Sequence, residues 1–186
     1  MSGLEEKELV RRAAEEDDRE AFARLISRYQ NGVFGLLHRL LGGTNEVEDV
    51  AQNVFLSAYR GLRAFRGQAS FGTWIYRIAY NQACSALRRL RSRRAREMPQ
   101  IQDEENGRQD EPTDSKTPDP EQQTIRKQVW EAVSELPPAS QAVVEMYYNQ
   151  GLKYPQIAEA LDLPLGTVKT HLHRARAQLR EILTGA

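Results

Sequence analysis

The chain has 186 residues, no formal net charge, 40% hydrophobic and 28% charged residues, and one cysteine, Cys84. Such a length suits one domain or two small ones, and a lone cysteine excludes an internal disulfide and fits a reducing cytoplasm. No apolar run approaches the roughly 20 residues of a membrane span, and the start MSGLEEKELVRR has no apolar signal core, so neither membrane insertion nor secretion is expected.

In chain order, Leu4–Glu16 reads as a short helix and Arg19–Leu41 as a longer one. The second carries Phe22, Leu25, Ile26, Tyr29, Val33, Leu36, Leu37 and Leu40 at helical spacing, and Gly42-Gly43 stops it. Thr44 or Asn45 can cap a third helix, in whose first turn Glu46, Glu48 and Asp49 suit the helix dipole. That helix carries Val50, Val54, Phe55, Ala58 and Leu62, then breaks near Gly67. Ser70 caps a fourth helix, Phe71 to about Arg94.

Residues 97–121 hold prolines at 99, 112, 118 and 120 and little apolar surface, so they read as a flexible linker. Beyond it, a helix near Gln122–Leu136 is stopped by Pro137-Pro138, and another spans about Ala139–Tyr148 and ends at Gly151. Ile157, Ala158 and Leu161 face inward from a short helix, Asp162-Leu163-Pro164 turns the chain, and Val168, Leu172, Ala175, Leu179 and Ile182 stripe a last helix. This spacing is that of a helix-turn-helix. Strand signals are nearly absent. The fold class expected is all-α: two small helical domains, 1–96 and 122–186, joined by the flexible acidic linker.

The zero net charge is a sum of sorted parts. Residues 1–96 hold 17 Lys/Arg against 11 Asp/Glu, a net of +6; residues 97–121 hold 2 against 9, a net of −7; residues 122–186 hold 7 against 6, a net of +1. From Val50 through Arg96 there is no acid, but ten arginines and the aromatic stretch FRGQASFGTWIYRIAYN. Solvated helices normally mix signs, so a one-signed aromatic segment points to a polyanion. Single-stranded nucleic acid fits, because it needs cations along its phosphates and ring faces for its unstacked bases. Phe71, Ile75 and Ile78 are expected in the core, and Trp74, Tyr76 or Tyr80 against the nucleic acid. Gly67 and Gly72 flank a polar turn that a nucleotide could approach closely.

On the last helix, Thr167, Thr170, His171 and Arg174 share one helical spacing beside Lys169, His173 and Arg176, a donor set that suits the major groove. His171-x-His173 is a poor metal pair, since two residues apart on a helix the rings diverge. Asp49, Gln52 and Asn53 beside Phe55 read as a docking surface for a partner protein. No phosphate-cradling loop, paired carboxylates or Ser/His/Asp set emerges, so catalysis and cofactors are not expected. The residues alone leave open a helix-turn-helix regulator with a sensing or dimerising first domain, and an RNA-binding antiterminator.

Taken together, DVAQNVFLSAY, FRGQASFGTWIYRIAYN and LPLGTVKTHLHRARAQL resemble, in that order, three motifs of the bacterial extracytoplasmic-function (ECF) sigma factors. The resemblance implies a non-enzymatic, cytoplasmic initiation factor for RNA polymerase, usually with a cognate anti-sigma factor. It implies that Asp49, Gln52 and Phe55, with Asn53 where an acid is common, contact the clamp coiled coil of the polymerase's largest subunit. Arg66, Gly67, Gln68, Ala69, Ser70 and Phe71 would receive a flipped minus-ten base, and Asn81 would read a base nearby; by its spacing, Arg77, one turn before Asn81, can hold the adjacent phosphate. Lys169, Thr170, Arg174 and Arg176 would face the minus-thirty-five element. His171 and Ser85 stand where many members have Arg and Asn.

Overall fold

The computed structural model of the protein describes residues 3–42, 45–97 and 128–184, all of whose regular structure is helical. The chain divides into two compact units, Met1–Asn106 and Gly107–Ala186. The expected linker, Thr44 and residues 122–127 of the expected fifth helix lie outside the described residues.

The first unit holds α1 (Gly3–Glu15), α2 (Arg19–Leu41), α3 (Glu46–Gly61), a 3₁₀ turn (Leu62–Ala64) and α4 (Phe71–Glu97). Asp18 starts α2: its Oδ1 accepts from the backbone N–H of Glu20 at 2.9 Å and of Ala21 at 3.0 Å, while Oδ2 accepts from Arg12. The Ala21 amide and the Arg12 guanidinium together hold the Asp18 carboxyl below its ordinary pKa. Gly42, at φ 69°, ends α2 in the left-handed conformation that glycine adopts most readily. Asn45 precedes α3 with helical φ and makes no side-chain cap, so the acids in the first turn are what complement that terminus.

Leu25, Val33, Leu36, Leu37, Val47, Val54, Leu62, Phe71 and Ile75 are fully buried and form the core between α2, α3 and α4. Burial of each aliphatic side chain contributes about 1.5–3 kcal/mol. Ile78, expected with them, is only half-buried. Contacts order α3 against α4: Gly61 meets Trp74, Ser57 lies 3.5 Å from the Gln82 amide, and Glu46 pairs with Arg93 at 3.2 Å. The two helices are therefore antiparallel.

In the second unit, residues 128–134 form α5, followed by α6 (Pro138–Val144), α7 (Tyr154–Leu161) and α8 (Leu165–Thr184). The helix before Pro137-Pro138 ends at residue 134, and Pro138 also opens α6, because proline's missing N–H is no loss in a first turn. The helix expected to reach Tyr148 widens at Glu145–Asn149 into one i→i+5 turn, with the Gln150 N–H on the Glu145 carbonyl at 3.2 Å. Asp162 at φ 55° turns the chain from α7 to α8. Val143, Met146, Ile157, Val168, Leu172 and Ala175 make this unit's core. Ala160 is buried more deeply than the expected Ala158, and Ile182 emerges from the stripe at 39% exposure.

Candidate nucleic-acid interface

The loop between the 3₁₀ turn and α4 is built to stay open. Gly67 sits at φ 67°, where an added β-carbon would meet nothing within 4 Å, and Arg66, Gly67, Gln68 and Ser70 are exposed, with Ala69 half-buried. Ser70 caps α4 as expected, its Oγ accepting the Thr73 N–H at 3.0 Å. Phe71, at the loop's end, is buried and belongs to the core.

Three rings brace this loop. Phe65 packs on Trp74 at 4.9 Å between centroids and on Phe71 at 6.2 Å, and Trp74 lies 5.6 Å from Phe71. Trp74 is half-buried, its ring lying where a β-carbon on Gly61 would come within 3.2 Å. Tyr76 corrects the expectation: it is buried, edge-on to Tyr29 at 6.1 Å, and is core. Tyr80 is half-buried, and burial, then the neighbouring Cys84, pushes its hydroxyl up to about 12. Gly72 is also corrected. It faces inward, where an added β-carbon would sit 2.8 Å from Tyr29 Cε1, so its smallness serves α2–α4 packing and not a nucleotide.

Along α4 the loop continues as a stripe of Trp74, Arg77, Asn81, Ser85 and Arg88, spaced three or four apart. Arg77, Asn81 and Arg88 are exposed. The acid-free segment is not wholly uncompensated, because tertiary structure brings Asp17 to 3.7 Å from Arg63 and Glu46 to Arg93. Neither acid reaches the Trp74–Arg88 stripe in these pairings.

On α3, Asp49, Gln52 and Asn53 are exposed and line a shallow groove with Leu56, Arg89 and Arg93. Phe55, expected beside them, is half-buried and packs toward Phe34 of α2 at 6.3 Å. Leu56, at 52% exposure, is an exposed apolar residue in this lining, and sequence reasoning missed it. Its signal was the spacing Asp49, Gln52, Asn53, Leu56: positions i, i+3, i+4 and i+7.

On α8, Lys169, Thr170, His173, Arg174 and Arg176 are exposed and Thr167 is half-buried. His171 does not share their face. Its Nδ1 lies 3.0 Å from Ser140 Oγ of α6, because Val168, Leu172 and Ala175 point into the core and leave His171 at that core's edge. Thr170 Oγ1 donates to the Gly166 carbonyl at 2.9 Å. Arg176 Nε donates to the Tyr148 hydroxyl at 2.9 Å, a bond that raises the arginine's pKa further. Among the described residues no group of three or more His, Cys, Asp or Glu could hold a metal ion, and no helix is long and apolar enough to cross a membrane.

Comparison with known proteins places these surfaces in a family. Residues 25–94 match the Sigma-70 region 2 model and residues 126–179 match that of Sigma-70, region 4. The chain is 37% identical over 181 residues to the ECF RNA polymerase sigma-E factor of Haemophilus influenzae, covering 95% of this chain and 94% of that one. It is 31% identical over 183 residues to the RNA polymerase sigma-H factor of Pseudomonas aeruginosa, covering 96% and 94%. Its fold is similar to that of the sigma factor RpoE from Bartonella quintana, solved with the anti-sigma factor NepR, at TM-score 0.70 and 19% identity over 88% of this chain and 96% of that one. With both region models matched in order and such identity along nearly the whole length, the chain belongs to the ECF sigma factors of bacterial RNA polymerase.

Proposed function

We propose that three surfaces of this sigma factor divide its work: α3 docks on polymerase core, the 66–70 loop with α4 takes the melted minus-ten strand, and α8 reads the minus-thirty-five duplex. The family role is to bind polymerase core, direct it to promoters and help open the minus-ten DNA. The observation that carries the division is the stripe running from the exposed loop through half-buried Trp74 to exposed Arg77 and Asn81 in a segment without an acid. A single strand binds through cations and π-faces, and this stripe supplies both. Asn81 can donate to and accept from a base edge, Arg77 one turn away can hold the adjacent phosphate, and the part of the Trp74 ring left uncovered can meet an unstacked base. The loop, opened by Gly67, can receive an extruded base, whose cost of a few kcal/mol contacts there must return.

Asp49, Gln52 and Asn53, flanking exposed Leu56, suit the clamp coiled coil of the largest polymerase subunit: an apolar contact with a polar rim. Thr170 and Arg174 lead the base-reading face of α8, with Thr167, Lys169 and His173 around them. The factor does no catalysis of its own, uses no cofactor and works in the bacterial cytoplasm. The fold it shares with the Bartonella quintana factor motivates control by an anti-sigma factor.

Reconstitution tests this reading. The full chain with polymerase core should bind a cognate promoter specifically and open it, and neither partner should do so alone. Asp49→Arg with Gln52→Ala should reduce co-purification with core tenfold or more while the thermal unfolding midpoint stays unchanged. Specific duplex binding without core, and no opening with it, would establish the helix-turn-helix regulator instead.

A further inference from the structure

We propose that Tyr148 is a positioning residue for DNA binding: it holds Arg176 ready for a phosphate at the edge of the duplex that α8 reads. The inference rests on the DNA-reading role assigned to α8.

The device begins with a buried acid. Glu145 accepts from Asn149 Nδ2 at 2.7 Å and from Gln150 Nε2 at 3.1 Å, fixing the wide turn at the end of α6. The Leu152 N–H closes that turn on the Met146 carbonyl at 2.9 Å, and Gly151 leaves it at φ 64°. From Ser140 to Met146 every residue is buried; the turn then brings Tyr147 to half-burial and Tyr148 to 55% exposure.

What Tyr148 touches is Arg176. Besides accepting from Nε, its ring centroid lies 5.8 Å from the guanidinium carbon, and that of Tyr147 lies 5.7 Å from it. Tyr147 is steadied in turn by Tyr148, edge-on at 4.9 Å, and by Tyr154 at 5.2 Å. Cation–π contact and a hydrogen bond therefore select one arrangement of a side chain that otherwise samples many. The ordering is met on folding, so DNA binding does not have to supply it. With Nε engaged, both Nη groups remain to face a phosphate oxygen pair.

Phosphate, not base, follows from position. At about 100° per residue, Arg176 lies roughly 160° round α8 from Arg174 and close to the buried stripe. That is the flank of a groove-reading helix, where contacts to the backbone fix register and carry no sequence information.

The test uses holoenzyme made with the full chain, a linear promoter duplex and a salt titration, for wild type, Tyr148→Phe, Arg176→Ala and the double variant. Arg176→Ala should weaken binding to every minus-thirty-five sequence alike and reduce the slope of log K against log salt by about 0.9. Tyr148→Phe keeps the ring and should weaken binding about threefold, with nothing further lost in the Arg176→Ala background. A silent Tyr148→Phe, or an equal loss in both backgrounds, overturns the positioning role. A loss confined to one base pair on Arg176→Ala overturns the phosphate assignment. No effect of Arg176→Ala at all removes α8's flank from the DNA, and the inference with it.

Discussion

Gly72 sets how near α4 can come to α2. An added β-carbon would meet Tyr29 Cε1 at 2.8 Å and its hydroxyl oxygen at 3.1 Å, both inside van der Waals contact. Tyr29 cannot swing clear. Its hydroxyl donates to Glu6 at 2.6 Å, its ring lies 5.4 Å from Phe71, and burial, then the Glu6 bond, raises its pKa. Gly72→Ala should therefore destabilise the first unit by about 1–3 kcal/mol, an overpacking cost read as a lower midpoint in urea unfolding. An unchanged midpoint would mean that Tyr29 relaxes at no cost. The same residue shows how a single glycine misleads: beside a loop its smallness reads as room for a ligand, until the ring that fills the room is seen.

At the scale of elements, α2 depends on the residue that caps it. Asp18 serves both as the N-cap and as the partner of Arg12 in α1, so one side chain ties two helices. Its carboxyl is held below the ordinary 3.8, first by the Ala21 amide and then by Arg12. A lowered folded pKa means that the stabilisation is fully present above the unfolded value and is lost as pH falls through the folded one. Asp18→Asn keeps an acceptor for the cap but gives up the charge. It should unfold at lower urea than wild type near neutral pH, and the difference should close as the pH drops below about 3.8. A difference that persists in acid would place the effect in cap geometry. The antiparallel α3–α4 pair matters in the same way, because it sets the Asp49 face beside Arg89 and Arg93 in one groove.

Across the whole molecule, each unit carries its own core: Leu25, Leu36, Leu37, Phe71 and Ile75 in one, Val143, Ile157, Val168 and Leu172 in the other. A chain cut to residues 107–186 should therefore keep its helical circular dichroism and unfold cooperatively on heating. A fragment without a cooperative transition would show that the second core needs the first unit to form. Sorting of charge acts at this scale too. A basic first module, an acidic middle and a slightly basic last module sum to zero only on paper, and association with a polyanion follows the module's own field.

The sequence by itself determined the helices, because 3.6-residue periodicity, the Ser70 cap and the Gly42 and Gly151 stops act over a few residues. It also determined the family, through three motifs in order, and hence the two helical domains. Which face each residue shows was decided by packing between helices that lie far apart in sequence. Tyr76 and Gly72 turn inward because α2 presents Tyr29, Phe55 leans toward Phe34, and His171 meets Ser140 across 31 residues. The wide turn at Glu145 leaves no local signature that periodicity reads, yet it is what carries Tyr148 to Arg176. Local propensity operates within a turn or two; the orientation of a side chain is a property of every surface that arrives beside it.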